Sequence, residues 1–313
     1  MKDVIEKVLS EVKKVVIGKD EIVSKVFMSI LASGHILLED VPGVGKTTLA
    51  LAFARVLDLD TQRVQFTSDT MPSDVMGISI LNKTTGEFSY KPGAIMTNIM
   101  LADEINRTSS KTQSALLEAM EEGNVTVDGE THPLPSPFIV LATQNPFGSA
   151  GTLLLPTSQL DRFMIRISMG YPNFASQVSI LRDRAESNPL DHVNQVIGKQ
   201  SLMDLIAAVN AVHVSDPVYE YVTALTEATR EHPMVGMGVS PRGALALCRM
   251  IRARACIMGR GFAVPEDVAA VAHDVFGHRL ILNSKARFGD ISAYDVMSEL
   301  IDKVKMPTLK ELK

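Results

Sequence analysis

The residues best suited to chemistry lie at positions 36–48. A short apolar run (Ile36, Leu37, Leu38), fit for a buried strand, leads into Pro42, Gly43, Val44 and Gly45. Lys46, Thr47 and Thr48 follow, and then a run with helical spacing: Leu49, Phe53, Val56 and Leu57. A phosphate chain needs closely packed backbone N–H donors, and glycines let the backbone wrap that tightly. The N-terminus of the following helix adds positive potential. In such a loop Lys46 reaches the β- and γ-phosphates of a nucleoside triphosphate, and the Thr47 hydroxyl ligates Mg²⁺. One position departs from the pattern: Asp40 stands where the motif has its first glycine.

A second constellation supplies what hydrolysis would need. Residues 98–104 form an apolar strand ending in Asp103 and Glu104. Ligands of open α/β sheets sit at the carboxyl ends of strands, which puts this pair beside the phosphates. Adjacent side chains of a strand point in different directions, so the two acids can divide two jobs. Asp103 would hold Mg²⁺, and Glu104 would polarise the attacking water. The strand at 138–142 runs on to Asn145, whose amide can hydrogen-bond both γ-phosphate and water; an Asn145-Pro146 chain reversal fits equally well. Arginines stabilise the charge that develops on a transferring phosphoryl group. Arg162 and Arg242 are the candidates, although spacing alone slightly favours plain surface ion pairs, with Asp161 or Glu231 as partner.

The elements that must position these groups follow from the hydropathy pattern. Up to residue 171, helical patterns alternate with short apolar runs at 36–38, 64–66, 99–102, 138–142 and 164–167. That is the signature of a parallel sheet covered by helices. Such strands are apolar throughout because both faces are buried. Beyond 171–173 strand signals vanish and helical periodicity takes over, at 202–212, 217–231, 241–258 and 265–276. Two domains are expected, an α/β domain over 1–171 and an all-helical domain over 172–313. Two segments interrupt the α/β rhythm as hairpins: 78–90, with a Thr-Gly turn, and 125–131, with Asp128-Gly129.

Composition limits the function. Of 313 residues, 46% are apolar and 21% charged, as in ordinary globular proteins. Tryptophan is absent and aromatics are 5%, which argues against stacking platforms for single-stranded nucleic acid. A net charge of −5 gives no global attraction to phosphate backbones or anionic membranes. Cys248 and Cys256, eight apart on one predicted helix, are about 12 Å apart and too far for a disulfide. They read as buried free thiols. No signal peptide or membrane span is visible, so a cytoplasmic location is the default. Scattered histidines give no support for metal chemistry beyond Mg²⁺.

Taken in order, these pieces resemble an AAA+ ATPase of the MoxR family. The resemblance is carried by Val16-Ile17-Gly18-Lys19, the 38–47 loop, Ala102-Asp103-Glu104-Ile105-Asn106-Arg107, Ala142-Thr143-Gln144-Asn145-Pro146, Leu160-Asp161-Arg162-Phe163 and Val239-Ser240-Pro241-Arg242. The stretch 113–122, Gln113 to Glu122, is also similar. The resemblance implies that Lys46 and Thr47 belong to Walker A, and Asp103 and Glu104 to Walker B. It makes Asn145 sensor 1, Arg242 sensor 2 on the helical lid, and Arg162 the arginine finger that reaches a neighbouring subunit's nucleotide. Val16, Ile17 and Gly18 match the segment packed against adenine. The two hairpins match inserts that line a ring's central face. Residues 151–158 depart from the family's usual form, with Thr157 where Glu is common. ATP and Mg²⁺ are the implied cofactors, and a ring, typically a hexamer, the implied assembly. The implied function is chaperone-like remodelling or maturation of a protein client. For some members the partner carries a von Willebrand factor A domain, and metal-cofactor insertion is suggested.

Other readings use the same residues. Arg242, Arg249, Arg252, Arg254 and Arg260 would serve a DNA-acting motor, against the acidic balance of the chain. A non-hydrolytic ATP-gated scaffold is a third reading. A small-molecule kinase finds no acceptor pocket.

Overall fold

The computed structural model describes residues 1–84, 86–145, 155–186 and 188–308. Pro146 and positions 151–154 of the departing stretch lie outside the described residues. Five parallel strands form the central sheet: β1 (Ile36–Glu39), β2 (Thr61–Gln65), β5 (Ile99–Asp103), β8 (Ile139–Gln144) and β9 (Ile165–Ile167). Their spatial order is β2-β5-β8-β1-β9. The expected hairpins are present as β3 (Gly77–Leu81) with β4 (Phe88–Pro92), and β6 (Asn124–Val127) with β7 (Glu130–Pro133). Asp128 and Gly129 both take positive φ, as a two-residue turn of this hand demands. Tyr90 of β4 stacks on His132 of β7 at a centroid distance of 3.8 Å, joining the two hairpins.

Alternation along the strands divides the core. Leu37, Met100, Ala102, Val140 and Ala142 face one side, where Leu116, Leu117 and Met120 of α5 (Ser110–Glu122) cover them. Ile36, Leu38, Ile99, Leu101, Ile139 and Leu141 face the other. There they meet α1 (Lys2–Lys13), α2 (Asp20–Leu31) and α3 (Lys46–Val56). Each such fully buried aliphatic side chain stabilises the fold by about 1.5–3 kcal/mol before entropy is counted. The expectation that the strands are buried on both faces holds along all of β5 and β8, whose apolar runs end in polar residues, but not for β2. An edge strand needs cover on fewer sides, and β2 carries Gln62, Arg63 and Gln65 in exposed positions.

Two short helices, α4 (Pro72–Met76) and α6 (Thr157–Leu160), lie in connections of the α/β part. The rest is helical: α7 (Phe174–Glu186), α8 (Lys199–Asn210), α9 (Asp216–Glu231), α10 (Pro241–Ile257), α11 (Pro265–Phe276), α12 (Ser284–Phe288) and α13 (Ala293–Lys303). Helix α10 starts with an Oγ cap from Ser240 to the Gly243 amide and a proline at its first position. It packs on α2, α8, α9 and α11. The all-helical expectation needs one amendment. A two-stranded ribbon, β10 (Val235–Met237) with β11 (Ile281–Leu282), sits among these helices. Strands of three and two residues are too short to leave an alternating pattern. Both cysteines lie on α10 as free thiols, with Cys256 buried but Cys248 only partly so.

Candidate nucleotide site and a separate arginine cluster

The carboxyl ends of β1 and β5 open into a cavity of about 720 Å³. Pro42, Gly43, Val44, Gly45, Lys46, Thr47 and Thr48 line it, with Asp103 and Glu104 across from them. Gly43 and Gly45 have φ of +86° and +97°, and a Cβ at Gly43 would meet no protein atom within 4 Å. The loop is therefore wrapped around open space. Helix α3 begins at Lys46 with no side-chain cap, so its first amide groups face the cavity uncompensated. Lys46 Nζ donates to the Asp40 carbonyl at 3.0 Å. Desolvation lowers the Lys46 pKa, while Asp40, Asp103 and Glu104 act against that shift.

Asp40 has a structural reason for replacing glycine. Its buried carboxylate accepts from Ser168 Oγ at 2.9 Å, from the Gly170 amide at 3.1 Å and from the Met169 amide. The loop is thereby pinned to the end of β9. Lys19 Nζ binds the same segment through the Met169 and Tyr171 carbonyls. Val16 and Ile17 line the cavity; Gly18 does not. A Cβ at Gly18 would fall 2.1 Å from Ser176 Oγ, so this glycine permits close approach of α7 at φ +72°. The opposite wall comes from α7 itself, through Gln177, Ile180, Asp183 and Arg184. Arg184 donates to Thr48 Oγ1 at 3.3 Å.

The two acids sit in different surroundings. Asp103 ends β5 and is buried, with Arg63 Nε donating to Oδ2 at 2.7 Å and Thr143 Oγ1 to Oδ1 at 3.3 Å. Glu104 leaves the strand at φ +56°, a conformation uncommon outside glycine, and its amide donates to Thr143 Oγ1 at 2.9 Å. Glu104 Oε2 accepts from Arg107 at 2.6 Å and from Gln65 Nε2 at 3.1 Å. Asn145 follows β8 directly but is not among the described residues lining the cavity, whereas Thr143 is. The oxygen donors suit Mg²⁺: one carboxylate and one hydroxyl beside a phosphate cradle match an ion that keeps waters and leans on substrate phosphates.

Neither Arg162 nor Arg242 reaches this cavity. The resemblance makes Arg242 sensor 2 and Arg162 the arginine finger, and in the fold these two arginines meet each other away from the phosphate loop. The surface pair expected with Asp161 or Glu231 is made with Glu121. Arg162 Nε donates to Glu121 Oε2 at 2.9 Å, and Arg242 donates to the other oxygen. Asp161 is already engaged: its Oδ1 takes the buried Arg279 at 2.6 Å, and its Oδ2 takes Ser240 Oγ at 2.9 Å. Ser240 caps α10 and Asp161 precedes Arg162, so this bond locks the two arginine-bearing segments together. A small cavity of about 170 Å³ lies here, lined among others by Arg162, Arg242, Arg249, Arg279, Glu121 and Asp161. Arg249 has no carboxylate partner among the described residues.

Sequence reasoning missed Arg63, Gln65, Arg107, Thr143, Arg184 and Glu121. Polar residues near the end of β2 were a signal, but using it requires knowing that β2 pairs with β5 (Gln65 opposite Asp103).

The family profile described as "ATPase family associated with various cellular activities (AAA)" matches residues 35–165, and an AAA lid domain profile matches 227–300. The chain is 46% identical to the uncharacterized protein YeaC of Bacillus subtilis over 96% of this chain and 94% of that one. It is 38% identical to Chaperone MoxR1 of Mycobacterium tuberculosis, over 97% of this chain and 82% of that protein. The crystal structure of a candidate ATPase from Cytophaga hutchinsonii is similar at a TM-score of 0.92 and 38% identity, covering 98% of this chain and 96% of that one. Phosphate loop, paired acids at a strand end, hairpin inserts and helical lid occur in one chain with these relatives, and the chain belongs to the MoxR family of AAA+ ATPases.

Proposed function

We propose that this chain hydrolyses ATP with Mg²⁺ in a ring of identical subunits, six in number, and uses the turnover to remodel a protein partner. In this reading the α/β domain spans 1–171 and the lid 172–313. The observation that carries it is the separation of the catalytic parts. Lys46, Asp103 and Glu104 surround one cavity, while Arg162 and Arg242 sit together on a different surface, joined by Glu121. The second cavity is lined by four guanidinium groups and two carboxylates, an excess of positive charge that calls for an anion. A neighbour's γ-phosphate supplies one.

The roles we assign combine these positions with the family resemblance. The amides of the 42–48 loop and Lys46 hold the triphosphate, and Val16 and Ile17 pack on the base, with Gly18 allowing the fit. Thr47 and Asp103 would hold Mg²⁺, which would supply positive charge to the phosphates. Glu104 orients the attacking water and takes its proton, with Asn145 assigned to the same water and the γ-phosphate. Arg162 and Arg242 stabilise the transition-state charge on the adjoining subunit's phosphate. The remodelling role is supported by the chaperone name of the Mycobacterium relative. A partner with a von Willebrand factor A domain, and metal-cofactor insertion, are the first client readings to try by co-purification under ATP. No helix among the described residues is long and apolar enough to cross a membrane; the location in this reading is the cytoplasm.

The DNA-motor reading loses its main support. Arg254 and Arg260 converge on the buried Asp267, and Arg252 binds Tyr219 Oη, so the basic stretch is largely committed within the fold.

ATP turnover of Glu104→Gln and Arg162→Ala tests the assignment, and near-wild-type rates in either remove that residue from its role. Subunit mixing tests the geometry. Lys46→Ala subunits lack a cradle but keep their arginines; Arg162→Ala/Arg242→Ala subunits lack the reverse. Mixed rings should turn over ATP faster than either variant alone, and no gain on mixing would refute action between subunits.

A further inference from the structure

We infer that Glu121 is a positioning residue, a carboxylate template that holds Arg162 and Arg242 as a pair so that both guanidinium forks meet one phosphate. This rests on the proposal that the two arginines serve a neighbouring subunit.

The geometry gives Glu121 one oxygen for each arginine. Arg162 donates through Nε, which leaves both terminal amino groups free to turn outward. Arg242 donates through Nη2, which leaves Nε and Nη1. Each fork therefore keeps donors for a second anion while its plane is set by the first. Among the described residues lining the small cavity, no other carboxylate is free to do this. The Asp161 carboxylate is engaged by Arg279 and Ser240, and Arg249 and Arg279 add further positive charge around the same cavity. Without Glu121 the two forks would repel each other and move apart.

The template itself is held from below. Glu121 lies in the last turn of α5, where a carboxylate is disfavoured by the helix dipole, so local helix energetics do not account for it. Its neighbour Met120 offers its carbonyl to His35 Nε2 at 3.0 Å, while His35 Nδ1 accepts the Val140 amide at 3.0 Å. The imidazole thus ties the end of α5 to the sheet at β8.

The test is steady-state ATP turnover of the full chain, with oligomeric state read on the same samples by light scattering. Glu121→Ala should lower kcat about ten- to hundredfold, the usual result of small misplacements of groups that act on a transition state, with KM for ATP within about twofold. Glu121→Gln, which keeps the size and one acceptor oxygen, should fall between. The discriminating measurement is a double-mutant cycle. In an Arg162→Ala/Arg242→Ala background, Glu121→Ala should change nothing further, because its action passes through those arginines. Additive loss in that background, loss of assembly matching the loss of turnover, or wild-type kcat in Glu121→Ala would each overturn the proposal. Wild-type turnover in the arginine variants would sink the parent reading instead, whereas loss there with none in Glu121→Ala would sink this one alone.

Discussion

Restoring the motif glycine at position 40 should harm the protein. In Asp40→Gly the buried carboxylate disappears and three donors lose their acceptor: the Met169 amide, the Gly170 amide and Ser168 Oγ. Ser168 is exposed and can turn to water, so it costs little. Met169 is buried, and an unpaired buried amide costs about 1–3 kcal/mol. Gly170 is partly buried and adds about 1 kcal/mol. The added backbone freedom of glycine contributes a further 0.5–1 kcal/mol or so. The total is about 2–5 kcal/mol. At about 2.1 cal/mol/K per residue, unfolding of a chain of 313 residues carries an entropy near 0.7 kcal/mol/K, so Tm should fall by about 3–8 °C. Function should suffer as well, because the Asp40 carbonyl positions Lys46 Nζ. With the loop released from β9, ATP affinity should drop about tenfold through lost preorganisation. Calorimetry and titration with a fluorescent ATP analogue measure both. A Tm within 1 °C of wild type together with unchanged affinity would refute the claim that Asp40 anchors the loop.

Other perturbations should be equally legible. Gly18→Ala combines a left-handed φ with a Cβ 2.1 Å from Ser176 Oγ, and should cost about 2 kcal/mol or more; Ser176→Gly should recover the clash but not the φ penalty, as urea melts will show. His35 is buried and desolvation drops its pKa from 6.5 to about 4, so the unfolded chain takes up the proton first as pH falls. Its contribution is intact above pH 6.5 and is lost between there and pH 4, by up to about 3 kcal/mol; His35→Gln should flatten that part of the pH–stability curve, and an unchanged slope would contradict it. Gln65→Ala removes one of two donors on Glu104 and should lower kcat about three- to tenfold with KM for ATP unchanged, measured by steady-state kinetics.

Much of the site was legible because its chemistry is local. The glycine-lysine-threonine run states the cradle within a dozen residues, and Asp103-Glu104 states its own place by ending an apolar strand. Both sit on the same cavity wall system in the fold. The hairpin at Asp128-Gly129 was equally plain, since a two-residue turn with positive φ names its own residue types. The ribbon of β10 and β11 was not, since its partners Val235 and Leu282 are far apart in sequence and the strands are very short. Arg63 and Gln65 escaped for a related reason: what they touch depends on strand order, and β2 lies beside β5 only because the chain crosses over.

The sequence by itself determined which chemistry this protein is equipped for, because loop wrapping, strand alternation and helix starts are set by neighbours along the chain. Only the tertiary structure decided where the arginines lie. Arg162 and Arg242 arrive from separate segments, are tied through Asp161 and Ser240, and meet at a carboxylate on a third element, away from the cavity that their own chain provides. Charge pairing at contact range depends on distance in space, and no spacing in the sequence encodes it.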